Sequence, residues 1–135
     1  MRFDELYVGQ AAEFTKTVTE TDVVMYAGLT GDFNPMHVDE VAASQTRFGS
    51  RIAHGMLTAG FISACIGMKL PGTGSIYLGQ TLKFTAPVRI GDTVTARLEV
   101  IELVPEKKRL RLTTTCSNQQ GQVVIEGEAT IMMQE

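Results

Sequence analysis

The sequence predicts an α+β fold in which an antiparallel sheet encloses one long helix. Three observations carry this. Gly55 to Met68 is an uninterrupted stretch without a charged residue. From Ile76 onward apolar and polar residues alternate through four successive stretches, the period of half-buried strands. No internal repeat, linker or low-complexity tract divides the chain, and 135 residues is the size of one domain, so residues 1–135 are expected to form a single unit.

In chain order, Ala11 to Val18 reads as a short strand. Thr19 and Asp22 then have the spacing of a capping box, and Val23, Tyr26 and Ala27 recur at helical intervals until Gly28 and Gly31 interrupt them. Gly31 to Asp39, GDFNPMHVD, is the next segment. Pro35 fixes its own φ and moves Asn34 out of the helical region, so this segment is expected to be a bent, non-helical loop. Asp39 can cap a short helix through Glu40 to Thr46, with Phe48-Gly49 as its exit.

Gly55 to Met68 carries apolar or small residues on nearly every face, which predicts a helix buried all round. At about 1.5 Å per residue it reaches about 21 Å, too short to cross a bilayer. Its small residues Ala59, Gly60, Ala64 and Gly67 predict the close passage of another backbone, and Leu70-Pro71-Gly72 ends it. Four strands follow, around Ile76 to Phe84, Val94 to Val100, Leu110 to Cys116 and Val123 to Ile131; short connections predict an antiparallel meander.

Composition narrows the function. A net charge of −3, with Lys107-Lys108-Arg109 as the longest basic run, argues against nucleic-acid binding. Met1 to Gln10 contains Asp4 and Glu5 and no apolar core of a signal peptide, so a cytoplasmic protein is expected, without a membrane partner. Cys65 and Cys116 lie in apolar patterns and are expected to be reduced and buried; with two histidines and no paired-ligand spacing, no metal site is expected.

Asp32 and His37 flank the Asn34-Pro35 bend and could face one pocket, an acid and an imidazole able to hold different protonation states. The bland alternatives are concrete. Asp32 and Asn34 are ordinary Asx-turn formers. His54 is expected to bond backbone near the start of the long helix, Ser63 could bond the carbonyl one turn back, and Met56 and Met68 are core fillers.

GDFNPMHVD followed by FGSRIAHGM, with Gly74-Ser75-Ile76-Tyr77 and Pro87-Val88-Arg89-Ile90-Gly91-Asp92 further on, resembles the MaoC-like dehydratases, in particular the stand-alone R-specific enoyl-CoA hydratases. The resemblance covers nearly the whole chain and implies a hot-dog fold, a curved antiparallel sheet around one central helix. It implies reversible addition of water to trans-2-enoyl thioesters, with Asp32 and His37 catalytic and Asn34 and Ser63 supporting. That chemistry needs a base for water, an acid for C2 and a donor to the thioester oxygen. The Gly55 N–H fits the last, since a helix N-terminus offers unpaired amides and glycine permits close approach. Which of Asp32 and His37 protonates C2 stays open. The substrate is an acyl-CoA or an acyl-carrier-protein thioester, and no cofactor is called for. A homodimer is implied as well, in keeping with the apolar residues Ile101, Leu103, Val124 and Met132 on the face opposite the main alternation. Alternatives are a hot-dog thioesterase, which places an Asp or Glu on the central helix where Gly55 to Met68 has none, a 3-hydroxyacyl-carrier-protein dehydratase, or a non-catalytic acyl-thioester binding module.

Overall fold

A computed structural model describes residues 1–134. Strand β1 (Ala11–Thr17) leads into helix α1 (Glu20–Thr30), two short helices α2 (Pro35–Val38) and α3 (Glu40–Ser44), and the long helix α4 (Gly55–Met68). The strands β2 (Ser75–Gln80), β3 (Lys83–Phe84), β4 (Thr93–Val104), β5 (Arg109–Ser117) and β6 (Val123–Met133) complete the chain. All pair antiparallel in one six-stranded sheet ordered β1-β4-β5-β6-β2, with β3 also on β6.

Helix α4 packs on this sheet. Ile62, Cys65 and Ile66 from the helix meet Val94, Leu98, Val100, Leu112 and Ile131 from the strands in one buried cluster. Each such Ile or Leu contributes about 2–3 kcal/mol of apolar burial. Strand β5 shows the cause plainly, since Leu110, Leu112, Thr114 and Cys116 are buried while their neighbours are half-buried or exposed. At Gly127 on β6 the sheet admits no side chain: a Cβ there would lie 1.8 Å from the Thr81 carbonyl oxygen.

Four expectations are corrected. The Pro35 bend is not wholly non-helical; proline at the first helical position, capped by Asn34, starts the single turn α2 that carries His37. The meander holds only for β4-β5-β6. The connection from Phe84 to Thr93 turns away to serve another segment, with the Ala53 N–H bonding the Val88 carbonyl at 2.7 Å and Ile52 bridging Arg89, so β2 and β3 pair with β6 instead of β4. Helix α4 is buried on one side only: Met56, Gly60, Ser63, Gly67 and Met68 form an exposed stripe, and among the described residues no atom beyond the flanking residues and the helix's own backbone approaches within 4 Å of a Cβ built at Gly60 or Gly67. Val124, placed by its alternation on an outer face, is fully buried in the core, and Leu103 packs against that core.

Both cysteines are free and buried. Among the described residues, no helix is long and apolar enough to cross a membrane.

Candidate active site

Local hydrogen bonds carry the chain from α1 to the site. Thr19 and Asp22 form a reciprocal capping box, and Gly31 ends α1 in the left-handed region at φ 82°, where glycine is favoured. The Asp32 N–H donates to Thr30 Oγ1, the Asn34 N–H to Asp32 Oδ1 and the Met36 N–H to Asn34 Oδ1, each at 3.2 Å. Asn34 is therefore a cap, and Asp32 is both a turn former and a carboxylate with one oxygen uncommitted.

The stretch from Ile52 to His54 clamps this segment from the far side. The Ile52 N–H donates to the Met36 carbonyl at 3.2 Å, His37 Nδ1 bonds the Ile52 carbonyl at 2.7 Å, and His54 Nε2 bonds the Asp32 carbonyl at 3.0 Å. A carbonyl only accepts, so the proton sits on His37 Nδ1 and on His54 Nε2. Neutral His37 then presents a bare Nε2. Arg51, just before the clamp, bridges Glu20 of α1 at 2.7 Å and Glu40 of α3 at 2.6 Å, tying the overlying helices to it.

Asp32, His37 and His54 each offer a ligand atom within 4.8 Å of the others. The two imidazoles stack with centroids 3.9 Å apart at 30°, and each ring spends one nitrogen on a carbonyl.

His37 and Gly55 line a cavity of about 400 Å³ whose walls include Ile52, Val88, Ile125 and Phe84. Gly55 is the first residue of α4. As the first helical residue its amide has no intrahelical acceptor, the residue lines that cavity, and the Phe84 ring lies 2.6 Å from where a Cβ would sit. Asp32 lies beside His37 at the exposed edge and is not among the cavity walls.

Ser63 is placed elsewhere. It lines a separate depression with Met56, Gly60, Tyr77 and Leu78, and its side chain makes no hydrogen bond among the described residues. A hydroxyl residue that does line the first cavity is Thr58, fully buried and with a side-chain oxygen that has no partner among the described residues. It went unread in the sequence, although its place one turn after Gly55 in an uncharged helix was visible. His54 bonds backbone as expected, but across to Asp32 and not at the helix start.

A sheet packed on one central helix, with an acid and an imidazole near that helix's start, defines a hot-dog domain with a candidate acid–base site. The chain belongs to the MaoC-like domain family, whose sequence model matches residues 6–124. It is 57% identical over 131 residues to an (R)-specific enoyl-CoA hydratase of Rhodospirillum rubrum, covering 97% of this chain and 90% of that one. A 3-hydroxybutyryl-CoA dehydratase of Methylorubrum extorquens is 51% identical over 129 residues, 96% and 82% of the two chains. The unliganded structure of the R-hydratase PhaJ1 from Pseudomonas aeruginosa superposes with a TM-score of 0.94 at 50% identity, covering 98% of this chain and 85% of that one.

Proposed function

We propose that this protein is an R-specific enoyl-CoA hydratase, a hydro-lyase that adds water reversibly to trans-2-enoyl thioesters to give (R)-3-hydroxyacyl thioesters. The observation that carries the reading is the uncommitted Asp32 oxygen and bare His37 Nε2 beside a cavity that Gly55, the first residue of α4, also lines. Hydratase and dehydratase name one equilibrium approached from opposite sides, so the names of both relatives fit a single chemistry.

In this mechanism Asp32 and His37 hold and deprotonate one water. Its hydroxyl adds to C3, the double bond's electrons move toward the thioester carbonyl, and the Gly55 N–H donates to the oxygen as it becomes negative. The proton taken from water returns through the same pair to C2, which restores both groups. Asn34 supports this by capping α2. The buried apolar walls of the cavity suit the acyl part, while the charged carrier, coenzyme A in this reading, stays toward solvent. Hot-dog thioesterases commonly place a carboxylate on the central helix, and the absence of one from Gly55 to Met68 weighs against that alternative.

The working unit in this reading is a homodimer in the cytoplasm. The exposed stripe of α4 with Met56 and Met68, next to Tyr77 and Leu78 on the open edge of β2, is an apolar surface of the kind a second copy covers. Ser63 lies on that same surface. The test supplies enoyl-CoA thioesters of several chain lengths, follows the fall of conjugated absorbance and determines the configuration of the product. Formation of the R alcohol is expected; the S alcohol, or hydrolysis to free acid, would overturn the assignment.

A further inference from the structure

We infer that His54 is a positioning residue of this site, the tether that fixes the Asp32 backbone to the start of α4. The inference rests on the hydratase reading and extends it to a residue that touches no reacting atom.

Asp32 lies on an exposed turn whose other hydrogen bonds are local: its N–H donates to Thr30, its Oδ1 accepts from Asn34, and the Phe33 N–H donates to the Gly31 carbonyl at 3.2 Å. Local bonds of this kind shape a turn without placing it relative to the rest of the molecule. Among the described residues, the one long-range hydrogen bond on Asp32 comes from His54 Nε2, 22 residues away in sequence. His54 is 2% exposed, and its ring contacts three groups at once. It donates to Asp32, stacks on His37 with centroids 3.9 Å apart, and meets Tyr26 of α1 at 4.7 Å.

His54 is also the residue immediately before Gly55, so one ring ties the carboxylate's backbone, the imidazole and the helix's first amide into one rigid group. Its other nitrogen, Nδ1, is buried and unpartnered, as is the Thr58 hydroxyl one turn on. Only the tautomer with hydrogen on Nε2 can donate to the Asp32 carbonyl. A ring turned or protonated the other way would release the acid from its register with His37.

Three substitutions separate the donor from the stack. The carboxamide nitrogen of His54→Gln reaches the place of Nε2, that of His54→Asn reaches only as far as Nδ1, and His54→Phe keeps an aromatic stack without a donor. A shift of about 1 Å in a reacting group costs up to roughly 100-fold in rate, so His54→Asn and His54→Phe are expected to lower kcat about 10- to 100-fold with KM for crotonyl-CoA little changed, and His54→Gln to recover most of it. Melting temperatures identify any variant that fails to fold; if His54→Phe does, the Gln and Asn pair decides. The ring ¹⁵N shifts of the wild type provide a reading that needs no substrate, and an Nε2–H tautomer is expected for His54. Full kcat in folded His54→Asn, no advantage of Gln over Asn, or an Nδ1–H tautomer would overturn the inference. A wild type that turns over no enoyl thioester would instead defeat the hydratase reading, and the tautomer would still decide the tether.

Discussion

Glycine at position 55 does two things at once. It lets the start of α4 line the cavity without a side chain, and it leaves room for the Phe84 ring that forms one wall. Gly55→Ala is therefore expected to push the half-exposed Phe84 ring into the cavity, lowering kcat/KM by about 10-fold or more as the donor is screened, with little change in melting temperature. Unchanged kinetics on a crotonyl thioester would remove Gly55 from the oxyanion role. Cys116 behaves differently, since burial pushes its thiol up to about 12 and leaves it protonated at any ordinary pH. Cys65 is raised by burial as well. Both thiols are expected to resist alkylation at pH 8 in the native protein and to react on unfolding; native labelling at either would contradict their packing.

At the scale of elements, the long helix, its start at Gly55 and the strands from β4 to β6 were legible in the sequence because each follows from a local pattern: loss of charge, a period of two, a turn between. The exposed stripe of α4 was not legible. Small and apolar residues look alike whether they meet a neighbouring strand or an open face, and only the position of the sheet distinguishes them. The pairing of β2 with β6 depended on Val88 and Arg89 holding the segment around Ile52, a long-range use of backbone that no local pattern records. His54 illustrates the same limit within the site, for its partner lies on a different element.

Two consequences belong to this scale. Gly127→Ala would drive a Cβ into the Thr81 backbone and is expected to destabilise the protein by several kcal/mol, measured by chemical denaturation; a loss under about 1 kcal/mol would contradict the close approach. Asp22 gives a pH dependence. Burial acts to raise its carboxyl, but the bonds from Lys16 and Thr19 outweigh it and hold the group below the usual value. The native carboxylate thus stays charged where the unfolded chain already binds a proton. Its stabilisation is present above about pH 4, the unfolded value, and drains away as pH falls through the lower native value. Melting followed from pH 6 to pH 3 should fall more steeply for the wild type than for Asp22→Asn, and parallel curves would remove the capping box from the account.

For the whole molecule, the open edge of β2 and the bare stripe of α4 predict association. Light scattering on the eluting protein should give twice the chain mass, and a charge placed at Leu78, as in Leu78→Lys, should shift the population toward monomer. A wild type that elutes as a monomer at micromolar concentration would contradict this. The fold also explains why the acid and the imidazole meet at all: α1 delivers Asp32, α2 carries His37, and the clamp from Ile52 to His54 joins both to the start of α4. The central claim is that these two groups act together on one water. It is tested most directly by the kcat of folded Asp32→Asn on crotonyl-CoA beside the wild type. Removing one acid–base partner should lower it by about 100-fold or more at an unchanged melting temperature. Turnover within a few-fold of the wild type would contradict the account.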